Sequence, residues 1–347
     1  MLLPYLPAVT AFFLAAALTP VIKRLSVRLS VVDRPNDEAK KLHRQSIPLL
    51  GGTAIFISIA LVLAGLFFLD DPTLTSGLIG YQQYIGFLFG GLILMVGGFF
   101  DDKFTLSPKV TIFFPILAAL TAVIFGIGVS KVSNPFGGAI EISTIVSQLV
   151  TFIWLLVVMY VTKFLDGLDG LATGVSAIGA LMMTGLALTV MYFQPDAAAF
   201  AAICAGALLG FLVWNWHPAK IFLGEGGSTF VGFIIGVLAV IGGAKVGTAL
   251  LVLSIPFLDV IWVVLRRTLI EHRSPTKGDR KHLHHRLLDL GLSQRQVVLI
   301  YYAIAALVGV STLFLQSKQK LILFVAIVLL MIVGATLLVL TERKRRL

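Results

Sequence analysis

The feature that most constrains this chain is its succession of long apolar runs. A helix needs roughly 20 mostly apolar residues to cross the hydrocarbon core of a bilayer. Eleven such runs follow one another, near residues 3–22, 49–69, 83–100, 109–129, 146–163, 172–193, 197–215, 228–244, 247–267, 296–315 and 320–340. Lipid offers no partner to open backbone N–H and C=O groups, so runs of this length are expected to be helical. Composition agrees: 58% of the 347 residues are hydrophobic and 13% charged, where a soluble domain carries about a quarter charged residues. The expected fold class is an all-α polytopic membrane protein with about eleven transmembrane helices, in one domain spanning residues 1–347. No small-residue cleavage site follows Leu2–Ile22 before Lys23, so that run reads as a first spanning helix rather than a removed signal. The lone Cys204 lies in an Ala/Leu/Gly-rich stretch and reads as packing.

The net charge of +10 invites a nucleic-acid reading, but in a membrane chain the first cause is topology, because Lys and Arg stay on the cytoplasmic side. Eleven crossings put the termini on opposite sides. One side then receives 23 of the 27 Lys and Arg: those in 22–48, 101–109 and 266–295, Lys163, Lys220, and the Arg343–Arg346 tail. The other receives Lys131, Lys245, Lys318 and Lys320. The expected orientation is N-terminus outside, with the C-terminus and five loops in the cytoplasm, in the cell's inner (plasma) membrane, and with no nucleic-acid partner. Segment 131–145, with Asn134-Pro135-Phe136-Gly137-Gly138, reads as an external turn, a hairpin being one form of it.

The five internal loops hold the polar residues that could do chemistry. The first runs from Asp33-Arg34-Pro35-Asn36 through Lys41 and His43 to Gly51-Gly52; the second holds Asp101-Asp102-Lys103 and Lys109. Adjacent carboxylates at a helix mouth repel each other and are costly near hydrocarbon, and a divalent cation or a basic group would relieve them; a solvated pair is the plain alternative. The third loop holds Lys163 and Asp166-Gly167-Leu168-Asp169-Gly170. Two acids three residues apart share a face if the segment is helical, which suits metal-phosphate or proton-transfer work, but Asp-Gly repeats also make turns. The fourth loop holds Asn215-Trp216-His217-Pro218-Ala219-Lys220 and Gly224-Glu225-Gly226-Gly227-Ser228. Small residues leading into a helix leave N–H groups free for an anion, and the acid among them suggests a cation alongside. In the fifth loop His282, His284 and His285 stand among Arg280, Lys281 and Arg286; flanking cations disfavour a metal and favour phosphate, with a basic face for anionic membrane lipids as the alternative. Asp259, inside a run, reads as a paired structural acid. Ionisable groups gathered on one face, rather than at mid-bilayer around broken helices, favour a surface active site over a transporter.

In these five ordered motifs the chain resembles the polyprenyl-phosphate N-acetylhexosamine-1-phosphate transferases over most of its length, from Asp33 to about Gln296. The form Asp279-Arg280-Lys281-His282-Leu283-His284-His285-Arg286 is similar to the branch using UDP-N-acetylhexosamines. The resemblance implies that undecaprenyl phosphate attacks the β-phosphate of UDP-N-acetylglucosamine or a related sugar and releases UMP, at the first membrane step of cell-envelope glycan synthesis, with Mg²⁺ as cofactor and a homodimer as a plausible assembly. By motif position it implies that Asp101 and Asp102 are the acidic pair acting as base or substrate organiser. Asp166 and Asp169 stand at the nucleotide-sugar site, Lys103 and Lys109 on the phosphates, the His282–His285 loop with Arg280 and Arg286 on the phosphates or sugar, and Lys41 and His43 near the lipid phosphate.

Two positions depart from the family pattern. Lys163 stands where Asn is usual, and Glu225 where Asp is usual, both at positions that look like metal ligands. Glu can still ligate Mg²⁺, whereas an ammonium has no acceptor and repels a cation. Either Glu225 binds Mg²⁺ together with the substrate phosphates, or it pairs with Lys163, which then sets a fixed positive charge where a metal would sit. A catalytically reduced homologue that binds the lipid or nucleotide-sugar is the alternative function, and a lipid or anion transporter a more distant one.

Overall fold

The computed structural model describes residues 5–34, 46–75, 77–129, 131–134, 137–189, 192–241, 245–270 and 282–346. In chain order the elements are α1 (Tyr5–Arg28), β1 (Val32–Asp33), β2 (Ile47–Pro48), α2 (Gly51–Phe68), a 3₁₀ turn (Pro72–Leu74), α3 (Tyr81–Phe104), α4 (Pro108–Thr111) and α5 (Phe113–Ile124). There follow β3 (Lys131–Ser133), β4 (Ala139–Glu141), α6 (Thr144–Leu165), α7 (Leu171–Leu188), α8 (Pro195–Asn215) and α9 (Gly224–Val240). The chain continues through α10 (Val246–Val252), α11 (Ser254–Leu265), a π-turn (Arg266–Ile270), α12 (Leu283–Asp289), α13 (Gln294–Phe314) and α14 (Ser317–Arg346). Among the described residues each apolar run is carried mainly by helix, and between α5 and α6 strands β3 and β4 pair antiparallel, with Val132 opposite Ile140.

Among the described residues eight helices are long and apolar enough to cross a membrane, α1, α2, α3, α6, α7, α8, α13 and α14, so this is a multi-pass membrane protein. The other three runs take different forms. The run 247–267 is broken, with a 73° bend between α10 and α11. Pro256, in the first turn of α11, has no N–H to give the carbonyl of Val252, and its ring pushes that carbonyl aside. Helix α9 has 17 residues, about 25 Å at the α-helical rise, short of the roughly 30 Å hydrocarbon core. The segment Pro108–Ile124 is likewise short.

Shortness suits α9 because it lies inside the protein, between α2, α3, α6 and α7, with all its residues but Glu225 buried. Glycines admit it. A Cβ on Gly98 would stand 2.1 Å from the Gly226 nitrogen, and one on Gly52 2.1 Å from the Gly227 Cα. Both helices therefore touch the first turn of α9 backbone to backbone, which only glycine permits. An aromatic cluster fills the space beyond: Phe87 stacks on Phe233 at 5.7 Å and meets Phe200 edge-on at 5.0 Å. Trp154 donates across helices to the Gly236 carbonyl at 3.0 Å, and Trp214 to that of Ala16 at 2.9 Å. In lipid, such small-residue packing and interhelical hydrogen bonds replace the hydrophobic drive of a soluble core. In contrast, the apolar Ser317–Gly334 stretch of α14 has no fully buried residue.

Candidate active site

A cavity of about 1170 Å³ opens where the ends of several helices converge. Lys23 of α1, Asp33 and Pro48 of the first loop, Asp102 of α3, and Lys163, Asp166 and Asp169 after α6 line it. Asn215, His217 and Lys220 after α8, Glu225 of α9, His285 of α12 and Gln294 of α13 complete it. All five loops assigned to one side by the charge count contribute.

Asp101 and Asp102, adjacent in sequence, diverge. Asp102 accepts the Glu225 N–H with both oxygens, at 3.0 and 3.2 Å, and so places a carboxylate at the positive end of α9. Asp101 accepts the Leu106 N–H at 2.9 Å and lies in a narrow cleft against Gly98, Thr111 and Phe114. Backbone N–H groups answer both acids of the pair. The same contact corrects the expectation that the α9 N-terminus is open to an external anion: the Asp102 side chain already occupies it, and Gly226 and Gly227 are spent on helix packing.

Asp166 and Asp169 do not share a helical face. Helix α6 ends at Leu165, and residues 166–170 form a turn closed by Gly170 at φ 77°, a left-handed conformation from which α7 sets out. The turn brings both acids to the cavity. One oxygen of Asp169 accepts from His217 Nδ1 at 2.7 Å and from the Ala219 N–H at 3.0 Å. A carboxylate only accepts, so the imidazole carries its proton on Nδ1. The Asp166 carboxylate has no hydrogen-bond partner among the described residues, and burial, with Asp169 and Glu225 nearby, pushes its pKa up to about 7. Lys163 forms an ion pair with Glu225, both partly open to the cavity, and its ammonium lies 5.6 Å from the centre of the Tyr160 ring.

The histidines divide their work. His282 Nδ1 meets Asp259 Oδ2 at 2.8 Å, and the Leu283 N–H donates to the other oxygen at 2.9 Å, so Asp259 is the paired structural acid expected and caps α12. His284 is buried, stacks on His282 at 5.7 Å and abuts Gly167, where a Cβ would stand 2.5 Å from its Nε2. Burial, then His285 and His282, hold it well below the usual histidine range, in the neutral form. His285 alone of the three reaches the cavity wall. Lys103 and Lys109 are exposed and Arg286 half-buried, all three away from that wall, with Lys103 beside the Phe99 and Phe104 rings. Lys41, His43 and Arg280 lie outside the described residues. His217, Lys220, Lys23, Asp33 and Asn215 are cavity residues that motif reading did not select. Their signal was membership of the same internal loops, and for His217 a spacing from Asp169 that only the fold closes.

Among the described residues no three His, Cys, Asp or Glu side chains converge as a metal-binding group. What the cavity offers is a wet, mixed-charge chamber at the ends of apolar helices, with three ammonium groups, one open carboxylate and a carboxylate-oriented imidazole. Such a chamber suits a water-soluble phosphorylated donor meeting a membrane-held acceptor.

Comparison with known proteins agrees. The family model described as glycosyl transferase family 4 matches residues 84–243. A probable undecaprenyl-phosphate N-acetylglucosaminyl 1-phosphate transferase of Bacillus subtilis is 32% identical over 91% of this chain and 87% of its own. A decaprenyl-phosphate N-acetylglucosaminephosphotransferase of Mycolicibacterium smegmatis is 32% identical over 94% and 87%. An undecaprenyl-phosphate alpha-N-acetylglucosaminyl 1-phosphate transferase of Thermotoga maritima is 29% identical over 80% and 78%. With relatives this similar along nearly its whole length, the chain belongs to glycosyl transferase family 4, the family of the polyprenyl-phosphate N-acetylhexosamine-1-phosphate transferases.

Proposed function

We propose that this protein transfers N-acetylglucosamine 1-phosphate from UDP-N-acetylglucosamine to undecaprenyl phosphate and releases UMP, as the first membrane step of a cell-envelope glycan. The observation that carries the proposal is the single cavity at the helix ends, which joins Lys23, Lys163 and Lys220 to Asp166 and the Asp169–His217 pair in a chain of this family. An oxygen of the lipid phosphate attacks the β-phosphorus of the donor. The bond from that phosphorus to the oxygen bridging the two phosphates breaks, and the electron pair leaves on UMP. Phosphoryl transfer of this kind is mostly positioning and charge neutralisation.

In this reading the lysines bind the phosphates and His217, oriented by Asp169, donates to them. Asp166, with a pKa near that of a phosphate monoester's second proton, takes the proton of a monoprotonated acceptor. Asp102 holds the α9 terminus and, with Asp101, organises the site's acidic edge. Lys41 and His43 serve the lipid phosphate and Lys103 and Lys109 the phosphates more widely, while in the His282–His285 loop His285, with Arg280 and Arg286, serves the nucleotide-sugar and His282 and His284 hold the loop in shape. Mg²⁺ is the usual companion of a diphosphate donor and supplies charge neutralisation when bound. The residues here do not fit a protein-held Mg²⁺ site, since Asp102, Asp169 and Glu225 already have donors of their own, Asp166 alone makes no ligand set, and the Lys163 ammonium stands where Glu225 would bind the ion. The single domain, eleven crossings, an outside N-terminus, a cytoplasmic site in the plasma membrane, surrounding membrane lipids and a homodimer complete the proposal. The charge asymmetry and the convergence of all five basic loops on the cavity support its topology.

The test is transfer of labelled sugar phosphate from a panel of UDP-sugars to undecaprenyl phosphate by the purified chain. Transfer from UDP-N-acetylglucosamine, lost in Asp166→Asn, is expected; tight lipid binding with no transfer from any UDP-hexosamine would instead make the protein a binding homologue.

A further inference from the structure

Of the five carboxylates on the cavity wall, three have partners of well-defined kind: Asp102 the α9 backbone, Asp169 the His217 ring and the Ala219 N–H, and Glu225 the Lys163 ammonium. The last pairing differs in kind, because it brings a formal positive charge into the chamber. Lys163 is held from both sides, by Glu225 in the first turn of α9 and by the Tyr160 ring, yet 28% of its side chain stays exposed, and it lines the cavity beside Asp166. An ammonium has three donors and no acceptor. It cannot share a ligand shell with a metal, and a divalent ion seeking Glu225 would have to displace it and then sit beside it.

We propose that the Lys163 ammonium, anchored by Glu225, is the resident counter-cation of the diphosphate site and takes the place of a protein-held divalent metal. It neutralises the charge that gathers on the bridging oxygen as UMP leaves, stays protonated throughout, and needs no metal to be loaded first. The inference rests on the reading that this cavity takes a UDP-sugar.

The test uses the full chain in lipid nanodiscs with two readouts. The first is binding of Mn²⁺ alone, followed by electron paramagnetic resonance. The second is the initial rate of transfer with Mg²⁺ or with chelator. Wild type is expected to show no stoichiometric Mn²⁺ site and a rate in chelator within about twofold of that in Mg²⁺, whereas loss of metal-based charge stabilisation would cost on the order of 10²–10³-fold. Lys163→Met is expected to lose transfer whether or not Mg²⁺ is present. The paired change Lys163→Asn with Glu225→Asp supplies an acceptor and frees a carboxylate, and is expected to gain one Mn²⁺ site and a chelator-sensitive rate. One tightly bound Mn²⁺ per wild-type chain, or collapse of the wild-type rate in chelator, overturns the inference; both measurements are made on wild type, so they stand even where a variant fails to fold. Absence of transfer by wild type under every condition overturns the proposed function instead, and the Mn²⁺ measurement still decides the cation.

Discussion

Asp169 touches His217 and the Ala219 N–H through one oxygen, at 2.7 and 3.0 Å, with 15% of its side chain exposed against 35% for His217. If its task is to orient the imidazole, Asp169→Asn keeps an acceptor in place but removes the charge. Hydrogen bonds to a charged group contribute about 1.5–3 kcal/mol and neutral ones about 0.5–1.5. Two bonds converge on the atom, but the pair is partly solvated, so a discounted loss of about 1.5 kcal/mol is the working figure. That is roughly a tenfold fall in kcat/KM. His217→Ala removes the group that meets the phosphates and should cost on the order of 10²-fold or more. The decisive measurement is the double variant. With Asp169 acting through His217, adding Asp169→Asn to His217→Ala should cost nothing further, a coupling of about 1 kcal/mol or more. The assay is UMP release at subsaturating donor, with UDP-sugar binding measured alongside. Additive losses, agreeing within about 0.5 kcal/mol, would show that Asp169 meets substrate independently and refute the reasoning.

Three further outcomes follow from the geometry. Asp166, raised to about 7 by burial and its acidic neighbours, is charged only above that pH, so the transfer rate should fall as pH drops from 8 to 6. A carboxyl with a raised folded pKa binds its proton more tightly in the fold, so apparent Tm should move the opposite way, rising as pH falls, and the trend should be weaker in Asp166→Asn; a rate flat across this window sinks the assignment. Gly98→Ala places a Cβ 2.1 Å from a backbone nitrogen, whereas Gly65→Ala meets nothing within 4 Å. The first should destabilise by about 1–3 kcal/mol or more and the second be neutral or slightly stabilising, read as midpoints of thermal unfolding in detergent; equal midpoints would refute the backbone-contact argument. Asp259→Ala leaves the Leu283 N–H and His282 without their acceptor, at a cost of about 1–3 kcal/mol. Faster hydrogen exchange over 282–289 and weaker UDP-sugar binding are expected, and unchanged protection would mean that Asp259 does not hold α12.

Much of this was legible in the sequence, for definite reasons. Hydropathy reports helices in lipid because a long apolar segment can satisfy its own backbone hydrogen bonds there, within itself, only as a helix. Even so, the run 247–267 reads as one span, and the bend at Pro256 appears only when neighbours accept a broken helix. Loop chemistry was legible as composition but not as direction. Asp101 and Asp102 are equivalent on the page of letters, yet one caps α9 and the other turns to Leu106. Three histidines in a basic loop read as one ligand set, yet His282 and His284 build the loop and His285 reaches the cavity. His217 drew no assignment because its partner, Asp169, is 48 residues away.

By itself, the sequence determined the membrane setting, the apolar segments and the set of loops that meet, because burial in lipid and charge asymmetry are properties of local composition. It also exposed the joint change at Lys163 and Glu225. Only the tertiary structure decided that these two side chains, 62 residues apart, meet as an ion pair. Which carboxylates are spent on backbone N–H groups, and which one stays open to a substrate, was equally beyond the sequence. Such pairings depend on how α3, α6 and α9 pack, and close packing through glycine leaves no periodic trace from which a partner can be read.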